Sequence, residues 1–102
     1  MEKNDKHPVT VDVAVNLLME ELSFGDRTIL ANMKEEDLGN LDAAFGKRIK
    51  IEFGLGNGNN DLLESCRHKS GFLSLDPDMA STFIIKRLWM RAQKTRVLKV
   101  VK

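Results

Sequence analysis

The sequence has no tyrosine, one tryptophan, one cysteine and two prolines in 102 residues. A lone cysteine, Cys66, excludes an internal disulfide framework and suits a reducing compartment. Apolar runs are only a few residues long, against the roughly 20 needed to span a bilayer, so no membrane association is expected. The N-terminus, Met-Glu-Lys-Asn-Asp-Lys-His-Pro, is polar and lacks the apolar segment of a secretory signal. A cytoplasmic location is therefore expected. Acid is missing from the last stretch: no Asp or Glu follows Asp78.

That last absence makes the charge uneven. Residues 1–78 hold all fifteen acids against nine bases, a formal −6, and the stretch beyond holds seven bases, +7. Charge asymmetry bears on partners rather than on fold. Apolar residues form 42% of the chain and charged residues 30%, which places it among ordinary soluble globular proteins. The length allows one domain with a modest core.

Periodicity is helical throughout. Residues 1–9 are charged, contain Pro8 and read as a flexible leader. Thr10 is a candidate N-cap for a first helix over about 11–22, with Val11, Val15, Leu18 and Leu22 on one face. Ser23 and Asp26 form a start signal for a short second helix through Ile29, Leu30 and Met33. Glu35, Glu36 and Asp37 head a third helix, about 35–53, whose stripe is Leu38, Leu41, Phe45, Ile49 and Phe53. Gly54 stops it. A loop rich in glycine and asparagine follows, and Asn59 or Asn60 caps a fourth helix carrying Leu62, Leu63 and Cys66, broken at Ser70-Gly71. Asp76 caps the fifth helix, with Pro77 at its first position, running to at least residue 94.

These signals predict an all-α fold: a compact orthogonal bundle of about five helices, with the third and fifth at its centre. The single helical domain is expected over 10–96, with a basic tail at 97–102. Val97 to Val101 has some strand character, but a lone strand has nothing to pair with.

The fifth helix is apolar on two sides. Ala80, Ile84, Ile85, Leu88, Trp89 and Ala92 fill a broad sector, and Met79, Phe83, Met90 and Val97 form a second, narrower stripe. Either neighbours wrap both faces, or the second stripe is left for a partner, most simply another copy of the chain. Methionine and phenylalanine suit an adaptable contact, with Lys and Arg as its rim. The candidate interaction surface is Phe83, Lys86, Trp89, Met90, Lys94 and Val97. An alternative use of the same helix is nucleic-acid binding through Lys86, Arg87, Arg91, Lys94, Arg96 and Lys99. The acidic body and the shortage of interleaved aromatics weigh against it. The ordinary reading of these charges is a solvated face that keeps the chain soluble, and a third reading pairs the basic stretch after Asp78 with Glu35, Glu36 and Asp37.

Catalytic patterns are lacking. Cys66 and His68 form a Cys-x-His pair with no second pair for a metal, so no cofactor or metal is expected. A small buried thiol is the ordinary reading of Cys66, set against a thiol activated by Arg67 and His68. Asp42 and Glu52 lie about 15 Å apart along one helix, too far to share a reaction. Ion pairing with Arg48, Arg91 or Arg96 is their ordinary use. Gly54, Gly56 and Gly58 lack the strand and lysine of a phosphate loop. The chain is not expected to be an enzyme.

Two segments carry a resemblance. Leu41, Phe45-Gly46, Ile49, Phe53-Gly54-Leu55, Asn59 and Leu62-Leu63, with Asp78, Ala80-Ser81, Ile84-Ile85 and Leu88-Trp89, resemble a small bacterial all-α domain family. It has no assigned activity, cofactor or substrate. The likeness spans about residues 10–92 and implies the fold and its boundaries. The family pattern has a His, an Arg, an Asn and a Trp where this chain has Asp42, Lys50, Ile51 and Gly56, so no site is transferred. The expected function is that of a non-catalytic protein-interaction module, with a protein partner or a homodimer formed through the last helix.

Overall fold

Four of the five α-helices start where a short polar side chain takes one of the backbone N–H groups that a first turn leaves without a partner. Thr10 Oγ1 accepts from Val13 N at 3.2 Å, Ser23 Oγ from Asp26 N at 3.1 Å, Asn59 Oδ1 from Leu62 N at 3.3 Å and Asp76 Oδ1 from Met79 N at 2.9 Å. The computed structural model describes the backbone of residues 7–101 and the side chains of residues 7–94. The helices are α1 Val11–Glu21, α2 Phe24–Asn32, α3 Leu38–Glu52, α4 Asn60–Ser70 and α5 Pro77–Val101, with a 3₁₀ turn at Glu35–Asp37 leading into α3. No strand occurs among the described residues, and residues 97–101 continue α5 as helix.

The sequence places the start of α3 one turn early. Three acids in a row, Glu35 to Asp37, close a tighter turn instead: Asp37 N donates to Lys34 O at 2.9 Å, and Lys34 N donates to the Asp37 carboxylate at 3.3 Å. The α-helix then begins at Leu38.

α5 is the axis, and α1, α2, α3 and α4 all pack against it. Its inner sector of Ala80, Ser81, Ile84, Ile85, Leu88 and Ala92 is at most 2% exposed. Around it lie Val11, Ala14, Val15 and Leu18 of α1, Leu30 and Ala31 of α2, Ile49 of α3, and Leu62 and Cys66 of α4, all buried. Small residues let the neighbours approach: a methyl on Gly46 of α3 would stand 3.4 Å from Ser81 Oγ and 2.5 Å from Asp42 Oδ1. Two polar clamps fix the corners. Ser65 Oγ accepts from Val11 N at 3.0 Å, joining α4 to the head of α1. Arg27 donates Nε and Nη2 to Met19 O at 3.1 and 2.9 Å, tying α2 to the last turn of α1.

α3 packs along α5 through Ile49, with Phe53 buried just beyond its end, but its leading half stands at the edge. Leu41 and Phe45 are only half-buried, because a cleft opens between α2 and α3 there.

The packed body also reaches further toward the N-terminus than the boundary at residue 10. Pro8, expected in the leader, is buried, and Asn59 Nδ2 donates to Pro8 O at 2.9 Å and to Phe53 O at 2.6 Å. His7 lies against Gly54, whose φ of +74° puts it in the left-handed region. A side chain there would strain the backbone and stand 3.1 Å from the His7 ring.

Two stability outcomes follow from this packing. Leu88→Ala should cost about 2–5 kcal/mol, the usual loss for an enclosed leucine, whereas Phe45→Ala should cost less because its ring already meets solvent. Gly54→Ala should cost about 1–3 kcal/mol, through a strained left-handed residue. Urea unfolding of the three variants at one pH measures both.

Candidate functional site

The second stripe of α5 is left uncovered by the body. Met79 and Met90 are 43% and 45% exposed, and Phe83 between them is half-buried. The loop from α4 to α5 adds Phe72 and Leu73, 54% and 90% exposed. Gly71 causes this: in the left-handed conformation at φ 84° it caps α4 and turns the chain outward at once. Phe72, Met79, Phe83 and Met90 border an apolar groove of about 630 Å³, with Lys86, Arg87 and Asp78 at its edges.

Lys86, Arg87 and Arg91 of this helix are positioned by contacts. Arg87 lies over the Phe83 ring, 5.9 Å from its centroid, a cation–π arrangement. Lys86 Nζ pairs with Glu35 Oε2 at 2.8 Å, so this base of α5 meets an acid of the 3₁₀ turn that leads into α3. Lys50 of α3 pairs with Asp78. A second, smaller cleft of about 200 Å³ adjoins the groove, bordered by Arg87, Arg91, Lys94, Met90, Asp12 and Val15. Arg91 donates to Asn16 Oδ1, and Asp12 is held by Lys69 at 3.3 Å.

The structure therefore brings Phe83, Lys86 and Met90 together and sets Lys94 beside Met90 in the adjoining cleft. Trp89 does not join them. It is half-buried on another side of the helix, where its Nε1 donates to Met33 O at 2.9 Å, so it is a packing residue rather than part of the surface. The Val97 side chain lies outside the described residues, as do those of Arg96 and Lys99. Phe72 and Leu73 were not foreseen, because a loop has no period; the one signal was a pair of large apolar residues straight after a helix-stopping glycine. The α2–α3 cleft, about 240 Å³ with Leu22, Ile29, Met33, Leu41 and Phe45 around Leu88, was equally invisible in the sequence.

The titratable residues do not converge. Cys66 is fully buried and His68, two positions along α4, is exposed. Burial pushes the Cys66 thiol up to about 11, the opposite of activation. Arg67 is engaged with Glu64, and this partner holds the Glu64 carboxyl below its usual range. Glu52 pairs with Arg48, which also reaches Glu21, both at 2.9 Å. Asp42 accepts from Thr82 Oγ1 at 2.7 Å. Asp42, Lys50 and Gly56, three of the positions where the chain departs from the family pattern, all meet the first turns of α5, at Thr82, Asp78 and Pro77. Ile51 is exposed. Among the described residues no cluster of three His, Cys, Asp or Glu side chains is placed to hold a metal ion. Gly54, Gly56 and Gly58, all at positive φ, shape a turn that Asn59 closes by donating its backbone N–H to Gly54 O at 3.1 Å.

Fold and surface together define a small all-helical domain with an uncovered apolar face on α5, and no helix among the described residues is long and apolar enough to cross a membrane. The chain belongs to the family described as domain of unknown function DUF6794, whose match covers residues 7–92. Those limits suit the packed body, from His7 against Gly54 to Ala92, the last buried residue of α5 among those described. No curated protein and no solved structure matches the chain.

The thiol offers a direct check on the burial of α4. With a thiol pKa near 11, native protein should be alkylated by iodoacetamide at pH 8 far more slowly than urea-unfolded protein, as followed by mass spectrometry. The thiol's contribution to stability is fully present at neutral pH and declines as pH rises from about 9 toward 11, because the unfolded chain then loses its proton first.

Proposed function

We propose that this protein is a non-catalytic interaction module whose binding face is the outer side of α5. The observation that carries the reading is the uncovered row of Met79, Phe83 and Met90, extended by Phe72 and Leu73. A contiguous apolar patch bordered by charged residues is the usual form of a protein contact site. Its partner is another protein, a second copy of the chain included. A reducing compartment such as the cytoplasm suits the free, buried Cys66.

Nucleic-acid binding along the same helix is the weaker reading. Lys86 is taken up by Glu35, and the Asp12 carboxylate sits among Arg87, Arg91 and Lys94. A polyanion would meet that carboxylate wherever it met those cations.

Panning a library of amphipathic helical peptides of mixed charge against the protein tests the proposal. Enriched peptides should perturb the NMR resonances of Phe72, Met79, Phe83 and Met90. Phe83→Asp should abolish their binding while moving the unfolding midpoint by only a few degrees, since the ring is half exposed. Enrichment of no peptide, or of peptides that map to the α2–α3 cleft, would overturn it. Sedimentation velocity over a concentration series reports whether a second copy takes the place of a peptide.

A further inference from the structure

We infer that the outer face of α5 is a homodimer contact, in which two copies of the chain lay their α5 helices side by side in opposite directions. The two-fold axis passes between Lys86 and Arg87. The inference rests on the interaction-module reading and names the partner as a second copy.

The spacing of the exposed anchors fits this symmetry. In a two-fold contact, residue i meets residue j of the other copy and j meets i. An axis between positions 86 and 87 exchanges 83 with 90, so Phe83 of each copy faces Met90 of the other. Both contacts set an aromatic ring against a flexible thioether, a favourable pairing. Met79 falls level with position 94, where the methylene stem of Lys94 can cover it.

The helix is also long enough. Ala92 is its last buried residue among those described, yet its backbone continues as helix to Val101, about 13 Å further on. In the antiparallel pair those last turns run past Met79 of the other copy toward the loop that holds Phe72 and Leu73. These loop residues, 54% and 90% exposed, then gain a cover that their own body does not supply. At roughly 200 Å² for a large side chain, the exposed parts of Phe72, Met79 and Met90 come to about 300 Å² per copy. A specific contact takes about 500 Å² or more from each partner, which Leu73, the edge residues and the last turns of α5 are placed to complete.

Charge favours the opposite directions. Asp76 and Asp78 stand at the head of α5, and only bases follow them. Asp76 and Lys94 are about five helical turns apart, so they lie on one edge of the stripe. Antiparallel pairing brings Asp76 of each copy near Lys94 of the other, whereas parallel pairing would set like against like. The cations nearest the axis have acids of their own chain beside them: Glu35 is on Lys86, and the Asp12 carboxylate borders the cleft with Arg87 and Lys94. The acids that turn a polyanion away thus ease the approach of two α5 helices.

Sedimentation velocity of the full chain over a concentration series, together with two introduced cysteines, tests the inference. The protein should pass from monomer to dimer as concentration rises. Phe83→Asp should hold it monomeric, with the emission of Trp89, the only tryptophan and outside the groove, unchanged as the sign of an intact fold. Arg87→Cys, beside the axis, should give a disulfide-linked dimer on mild oxidation. Met79→Cys should not, because antiparallel pairing holds the two copies of position 79 about 22 Å apart along the helices. The native Cys66 is buried and stays silent in both variants. Asp76→Asn, which keeps a capping side chain, and Lys94→Gln should each weaken the dimer about threefold, and together no further than either alone. A chain that stays monomeric while peptides bind the face would overturn the homodimer and leave the interaction face standing. A monomer that binds no peptide would overturn both. Cross-linking through Met79→Cys would overturn the antiparallel arrangement. A dimer untouched by Phe83→Asp would put the contact elsewhere and overturn the inference as well.

Discussion

Burial of the inner sector of α5 is what the other helices share. α1, α2, α3 and α4 all pack against this helix, and its six innermost residues exclude solvent almost completely. At about 25 cal/mol for each Å² of apolar surface removed from water, a stripe of this kind is the largest favourable term open to a chain of this size. Alanine, serine and glycine at the closest approaches do as much for the packing as the isoleucines and leucine, because they set how near the neighbours can come. The hydrogen bonds that lock the corners, Ser65 to Val11 and Arg27 to Met19, are formed once that approach has been made.

A central helix would ordinarily be covered on every side. Here four neighbours enclose one sector and leave another open, so the helix that organises the core also presents the exposed methionines. The charge pattern follows the same division. Lys86 pairs with Glu35 and Lys50 with Asp78 toward the 3₁₀ turn and α3, and Arg87, Arg91 and Lys94 border the cleft on the other flank. Most of the ion pairs are exposed and add little to stability, their worth being of the order of 0–1 kcal/mol each. Their effect is on which charges a partner meets.

Chemistry was legible mainly as patterns that do not assemble. Cys66 and His68 sit two residues apart on a helix, which turns them to different sides, so nearness in sequence puts one thiol in the core and one imidazole in water. Asp42 and Glu52 share a helix yet find different partners, a threonine of α5 and an arginine of α3. The kinship with a family of unknown function was visible in the glycine and apolar positions, since those residues record the packing that all members must solve.

The sequence alone determined the five helices and the caps of four of them, because each cap depends on residues within one turn of one another: Thr10, Ser23, Asn59 and Asp76 act on the backbone three residues ahead. It also determined that α5 has two apolar stripes, a matter of period. Only the tertiary structure decided which stripe is covered. That choice depends on where α1 to α4 come to rest, as do the half-exposed Phe45, the buried Pro8, the inward turn of Trp89 to Met33 and the arrival of Phe72 beside Phe83 from a loop. Periodicity states that a face is apolar; burial requires a neighbour, and neighbours are fixed by contacts between residues far apart in the chain.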